Sequence, residues 1–224
     1  MSETREFDML LEASRNGFEA LFKEHKEEFY YCTLILSEGA TPFISAFSKE
    51  ALNEAVKKNN GKYSAEELKW SYADSPYCGY GFDEYFKEID KLFNERMDNV
   101  SDEDYDNEIE YWLSLMEKVM KTLDKEKVFG EGQIRRDMII NAEIMPPDDS
   151  NAQRAEQLNT KTAYKKWYKD NFNEMDNTVS DDFYEKLSKM SRLEIALSLD
   201  KMTSAELEVT RKYIKKLKKE HPMK

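Results

Sequence analysis

Phe29-Tyr30-Tyr31-Cys32-Thr33-Leu34-Ile35-Leu36 is an unbroken run of aromatic, aliphatic and β-branched residues around one cysteine. It predicts a strand. Glu38-Gly39 follows as a turn, and Thr41 to Phe47 predicts a second strand, its hairpin partner. Pro42 stands near the start of that strand, where a missing N–H matters least. The fold class turns on this pair of strands, because most of the chain around them carries helical spacing.

Upstream, Phe7, Leu10, Leu11, Phe18, Leu21 and Phe22 form one apolar face of a helix from about Thr4 to Glu27. Downstream, Ser48 reads as an N-cap for a helix with Ala51, Leu52, Ala55 and Val56 inside, ended by Asn59-Asn60-Gly61. Leu68 to Tyr72 predicts a third strand, and Phe82 to Met97 a helix. Ser101 and Asp104 resemble a loose capping box ahead of a long helix with Tyr105, Ile109, Trp112, Met116, Val119 and Leu123 inward. Gly130 and Gly132 break the chain. Asp137 to Met145 predicts a fourth strand, stopped by Pro146-Pro147. Asp148-Asp149-Ser150 opens a helix that weakens near Asn159-Thr160 and resumes toward Asp170. Ser180, Ser191 and Ser204 each precede a helical pattern, and the last helix is lysine-rich on its outer face.

This order is not a repeating βαβα pattern. It predicts an α+β fold: a small, mainly antiparallel sheet of about four or more strands, packed with several helices, and a helical C-terminal region. Residues 1–178 form the α+β domain, with 179–224 as a helical extension packed on it or as part of one single domain.

The net charge is −12. Between Arg211 and Lys224 seven Lys/Arg face one acid, a balance of +6, which leaves −18 on the 210 residues before them. Such a surface repels nucleic-acid phosphates and anionic membranes and favours basic partners; it also serves solubility alone. No secretory signal and no membrane-spanning run is expected from this sequence, and two cysteines are too few for a disulfide framework. The expected compartment is the cytoplasm.

Candidate chemistry is sparse. His25 and His221 lie among charged residues, a poor setting for a histidine-activated nucleophile. Cys32 reads as core. Cys78 reads as a small buried hydrophobe, or as a thiol activated by the helix beginning near Phe82. Asp102, Asp104 and Asp106 have calcium-loop spacing, but Asn107 and Leu113 stand where that loop needs glycine and a bidentate glutamate. No Cys/His pairs suit zinc, and no phosphate-binding glycine motif occurs. No metal and no organic cofactor is expected.

The most concentrated feature is Lys69-Trp70-Ser71-Tyr72-Ala73-Asp74-Ser75-Pro76-Tyr77-Cys78-Gly79-Tyr80-Gly81. Gly79 and Gly81 permit positive φ, and Pro76 pushes Ser75 out of the α region. The segment predicts a shaped loop. Two readings stand: Trp70 as core with Asp74 capping a turn, or Trp70, Asp74, Tyr77 and Tyr80 as partner anchors.

Three features in order resemble a known family: the strand Phe29-Tyr30-Tyr31-Cys32, then Leu68-Lys69-Trp70-Ser71-x-x-Asp74-Ser75-Pro76-Tyr77, then the strand and helix from Asp137 through Asp148-Asp149 to Leu158-Asn159. Over roughly residues 5–165 the chain resembles the bacterial domain-of-unknown-function family 4303. The resemblance carries no catalytic residues. It implies a setting near polymorphic-toxin loci, where small acidic proteins neutralise toxin domains. The expectation is therefore a non-enzymatic protein-binding domain of the immunity type, taking a basic partner through Asp102, Glu103, Asp104, Asp106 and Glu108 with Trp70, Asp74, Tyr77 and Tyr80 as anchors. The alternatives are an enzyme with a cleft near Asp74, Cys78 or Asp148, and a self-associating regulatory or scaffold domain.

Overall fold

In the computed structural model of the chain, which describes residues 5–37, 40–60, 62–172, 181–191, 194–195, 198–199, 202, 206–207, 209–211 and 213–214, the strands β1 (Phe29–Ser37) and β2 (Phe43–Ser48) pair antiparallel. The third strand, β3 (Ile139–Met145), takes the other side of β1 and runs parallel to it, giving the order β2-β1-β3. A parallel neighbour cannot be reached through a tight turn. The connection here is a long helical excursion through α2 (Lys49–Lys58), the one-turn α3 (Ala65–Leu68), α4 (Lys87–Met97), α5 (Tyr105–Lys125) and α6 (Gly132–Asp137). Helix α1 (Arg5–Glu24) precedes the sheet; α7 (Asp149–Leu158), α8 (Lys161–Phe172) and α9 (Asp181–Lys189) follow it.

Strand alternation gives the sheet two unlike faces. Cys32, Leu34, Leu36, Ile44, Ala46, Ile140 and Ala142 make an apolar face, all buried. Gly17 lets α1 lie close over it: a Cβ there would stand 2.8 Å from the Ile44 side chain. α1 and α5 pack on each other and on the sheet. Their Phe18 and Trp112 are wholly buried, and Phe93 of α4 meets Trp112 edge-on at 5.1 Å. Burial of each such side chain contributes about 1.5–3 kcal/mol.

The other face is polar along its middle. Ser45, Thr33 and Asn141 stand in register across the three strands, with Tyr31 and Glu143 on the same face, all buried. The loop after α3 lies on it: Trp70 meets Tyr31 edge-on at 5.7 Å, and the Ser45 hydroxyl donates to the Tyr72 carbonyl at 2.9 Å.

Both outer edges of the sheet are closed by the chain itself. On β2, the Gly79 N–H donates to the Ile44 carbonyl at 2.9 Å, and the Ser75 hydroxyl donates to the Ala46 carbonyl. Gly79 has φ +69°, where a side chain is strained, so glycine lets the loop present this amide. On β3, the Asn159 amide accepts from the Ile140 N–H at 3.0 Å and donates to its carbonyl at 2.7 Å. Asn151 holds Ile144 in the same way at 2.8 and 3.0 Å. Between them Arg154 Nε donates to the Ala142 carbonyl at 2.6 Å. Side chains of α7 and its C-cap thus replace a fourth strand, and an edge that would otherwise template aggregation is covered.

These contacts correct the expected sheet. Among the described residues it has three strands rather than four or more, and one of its two pairings is parallel. Leu68 to Tyr72 is not a strand. Ser64 and Glu67 form a reciprocal capping box that starts α3, Leu68 is buried, and Tyr72–Asp74 is a tight 3-10 turn. The segment caps β2 and covers the polar face instead of extending the sheet. The helix from Phe82 begins with a wide π turn, Phe82–Phe86, before α4. Ser101 donates to the Asp104 carboxylate at 2.9 Å and caps no helix N–H, and α5 starts at Tyr105. The break at Asn159-Thr160 is found, as is the helical start at Ser191, which exchanges hydrogen bonds with Glu194. The expected features at Glu38-Gly39, Gly61, Ser180, Ser204 and Lys212, and those at 215–224, lie outside the described residues.

The chain divides into two compact units, Met1–Lys165 and Lys166–Lys224. The first holds the sheet. In the second, Leu187, Ile195 and Val209 form a buried cluster with Phe183, Met190, Tyr213 and Ile214 against it. Among the described residues no helix is long and apolar enough to cross a membrane.

Candidate partner-binding site

The shaped loop is held along its length. The Tyr30 hydroxyl donates to the Lys69 carbonyl at 2.6 Å, the Ser71 hydroxyl donates to the exposed Asp74 carboxylate at 2.5 Å, and Ser75 is extended (φ −72°, ψ 136°) ahead of Pro76. Trp70 is half-buried between Tyr30 and Tyr31, and its indole N–H is buried without an acceptor. Tyr77 is buried. Its hydroxyl donates to Glu27 Oε1 at 2.8 Å and lies 3.2 Å from His25 Nδ1. A phenol has one proton, so a hydrogen bond with His25 requires the tautomer that carries hydrogen on Nδ1. The second Glu27 oxygen accepts from Ser48, the N-cap of α2, so one carboxylate joins the loop to that helix.

Around these phenols the fold gathers acids from three separate segments. The Tyr80 hydroxyl donates to Glu24 at the end of α1. Burial, that bond and the charge of Glu24 and Glu84 push the Tyr80 phenol up to about 12. Tyr77 is pushed up by burial, by its bond to Glu27, and by the charge of Glu27, Glu54 and Glu50. Glu24, Glu50, Glu54 and Glu84 are all exposed. Half-buried Tyr80 therefore sits in the field of Glu24 and Glu84 and buried Tyr77 in that of Glu27, Glu54 and Glu50, a setting that attracts guanidinium and ammonium groups.

Next to this acidic patch is a cleft of about 460 Å³. Phe22, Phe29, Val128, Ile134 and Met138 line its apolar part, and His25, Lys26, Glu27 and Glu28 its polar end. His25 belongs to both features. Ile134 is 67% exposed, unusual for a large aliphatic residue on this chain.

The expected anchors and acids do not form one site. Asp102, Glu103, Asp104 and Asp106 are exposed, but Glu108 is not free: Arg96 holds both of its oxygens at 2.7 and 2.8 Å, and the Trp112 indole donates to it at 2.9 Å. Arg96 also bonds Glu6, in the first turn of α1, at 3.0 Å. The acid run thus neighbours one end of α1, while Tyr80 bonds Glu24 at the other. Their separation along that helix is roughly 27 Å. Glu24, Glu50, Glu54 and Glu84 escape a sequence reading because they lie far apart in the chain. The only clue is that Tyr77 and Tyr80 needed acceptors.

Two other polar centres belong to the fold. Glu143 is buried; it accepts from Tyr31 at 2.6 Å and Asn141 at 3.1 Å, and desolvation raises its carboxyl above the ordinary range. Cys78 is exposed, yet its thiol is raised by partial desolvation, the opposite of what nucleophilic activation needs. Among the described residues no group of three or more His, Cys, Asp or Glu side chains gathers to hold a metal.

The chain belongs to the family described as domain of unknown function 4303 (DUF4303), whose model matches residues 10–160. No curated protein and no solved structure matches it. Of the three stretches that carry the family resemblance, the strand Phe29 to Cys32 lies in the central β1, while Ser75 of the Leu68 to Tyr77 stretch and Asn159 at the end of the Asp137 to Asn159 stretch each close an outer edge of the sheet.

Proposed function

We propose that this chain is a non-enzymatic, cytoplasmic protein-binding domain of the immunity type, which neutralises a basic toxin domain by holding it on an acidic face. The observation that carries this reading is the convergence of Glu24, Glu50, Glu54 and Glu84 on Tyr77 and Tyr80 beside an apolar cleft. Carboxylates around an aromatic anchor steer a basic partner and fix its register. Neither candidate near the loop is activated: partial desolvation raises the Cys78 thiol, and the Asp74 carboxylate accepts the Ser71 hydroxyl. The face at the C-terminal end of α1 is preferred to the Asp102–Asp106 run because it combines charge, an aromatic anchor and a cleft.

The test is to sequence the genes on either side of this one for a toxin domain and to co-express its product with the chain. Survival of the host cell and co-purification of the two chains are expected for the wild type. Both are lost when Glu24→Gln, Glu50→Gln, Glu54→Gln and Glu84→Gln are combined. Survival with the four-glutamine variant would overturn the assignment of the face.

A further inference from the structure

We infer that the cleft beside the acidic patch receives an apolar side chain from a basic segment of the partner. The inference rests on the binding role proposed above and specifies the chemistry of what binds.

The cleft is preformed. Ile134 stands on α6, and α6 is fixed by the residue next to it: Arg135 bonds both oxygens of Asp124 and donates to the carbonyls of Met138 at 3.1 Å and Leu158 at 2.9 Å. Ile134 is consequently held out toward solvent instead of folding back onto the core. The opposite wall is equally fixed, since Phe22 meets Phe29 edge-on at 4.9 Å. An apolar cleft of about 460 Å³ with fixed walls has room for one or two large apolar side chains, such as an adjacent Leu and Phe.

Charge complementarity selects the occupant. Glu27 and Glu28 stand at the polar end, and the exposed Glu24 and Glu50 lie beside it. Glu50 accepts the backbone N–H of Glu28 at 3.0 Å. Of the nearby cations, Lys49 is paired with Glu28, and Lys26 is turned back to the Phe22 carbonyl at 3.2 Å. An aliphatic or aromatic side chain in the cleft therefore places its flanking residues among carboxylates. A segment with Lys or Arg on either side of a Leu or Phe fits; an acidic segment does not.

The experiment uses three labelled peptides, Arg-Lys-Leu-Phe-Arg-Lys, Arg-Lys-Ser-Ser-Arg-Lys and Glu-Glu-Leu-Phe-Glu-Glu, titrated with the full chain at low salt and followed by fluorescence anisotropy. The first should bind about tenfold more tightly than the second, and Ile134→Asp should remove that difference, as loss of a hot-spot contact does. The acidic peptide should not bind. Equal binding of the two basic peptides, or an unchanged preference in Ile134→Asp, would overturn the cleft inference while leaving the acidic face intact. Binding of the acidic peptide as tight as the first would overturn the acidic face as well. Sedimentation velocity of the chain alone supplies the last arm: a dimer abolished by Ile134→Asp would show that a second copy fills the cleft and would overturn the inference.

Discussion

The Tyr31 phenol donates to Glu143 Oε1 at 2.6 Å inside the protein, so β1 and β3 are joined by side chains as well as by their ladder. Glu143 is a carboxyl group in a desolvated place, and its protonated form is favoured there. Above the ordinary value of 4.5 the unfolded chain releases this proton while the folded chain keeps it. Stability therefore falls as pH rises from that value toward the folded pKa. Glu143→Gln keeps an acceptor for Tyr31 and removes the titration. Urea unfolding from pH 4 to pH 8 should show the variant gaining on the wild type as pH increases. Parallel curves would contradict the buried, protonation-linked setting of Glu143.

Asn159→Ala strips the cap from β3. The Ile140 N–H and carbonyl both lose a partner, and a buried unpaired group costs about 1–3 kcal/mol. The expected loss is about 2–4 kcal/mol by chemical denaturation, with faster aggregation on heating because the edge is opened. A melting temperature and aggregation rate equal to the wild type would show that this edge needs no cover.

Trp70 separates packing from hydrogen bonding. Trp70→Ala should cost about 2–4 kcal/mol, somewhat less than a fully buried indole. Trp70→Phe retains ring contact with Tyr30 and Tyr31 and removes an N–H that has no acceptor, so its cost should be within about 1 kcal/mol. Unfolding curves check both. A Trp70→Phe loss as large as that of Trp70→Ala would mean the N–H is bonded in solution.

The hairpin, the apolar faces of α1 and α5, and the loop geometry at Ser75, Gly79 and Gly81 were legible in the sequence because each rests on local periodicity or on a local backbone rule. The parallel β3 was not, since strand direction depends on how a long crossover returns and not on any residue within Asp137 to Met145. Leu68 to Tyr72 misled for a different reason. Trp70 and Tyr72 have strand composition, yet the Ser64/Glu67 capping box ahead of them starts a helix, and their side chains cover a sheet face rather than join it. Asn151, Arg154 and Asn159 look like ordinary polar positions on a helix; only the register with Ile144, Ala142 and Ile140 shows that they stand in for a strand. Of the proposed face, Tyr77 and Tyr80 stand in the loop that Gly79, Gly81 and Pro76 mark in the sequence. The acids around them have no local signature, because three segments contribute them, whereas Asp102 to Glu108 are contiguous in the sequence.

The most direct measurement is the association rate of the proposed basic toxin-domain partner at about 50 and about 500 mM salt, for the wild type, for the variant combining Glu24→Gln, Glu50→Gln, Glu54→Gln and Glu84→Gln, and for the variant combining Asp102→Asn, Glu103→Gln, Asp104→Asn and Asp106→Asn. Steering by the face at the end of α1 predicts a wild-type on-rate that falls about tenfold or more across that range. The first variant should be slow at both salts, and the second should behave as the wild type. An on-rate indifferent to salt, or one lost in the Asp102–Asp106 variant and kept in the Glu24–Glu84 variant, would contradict it.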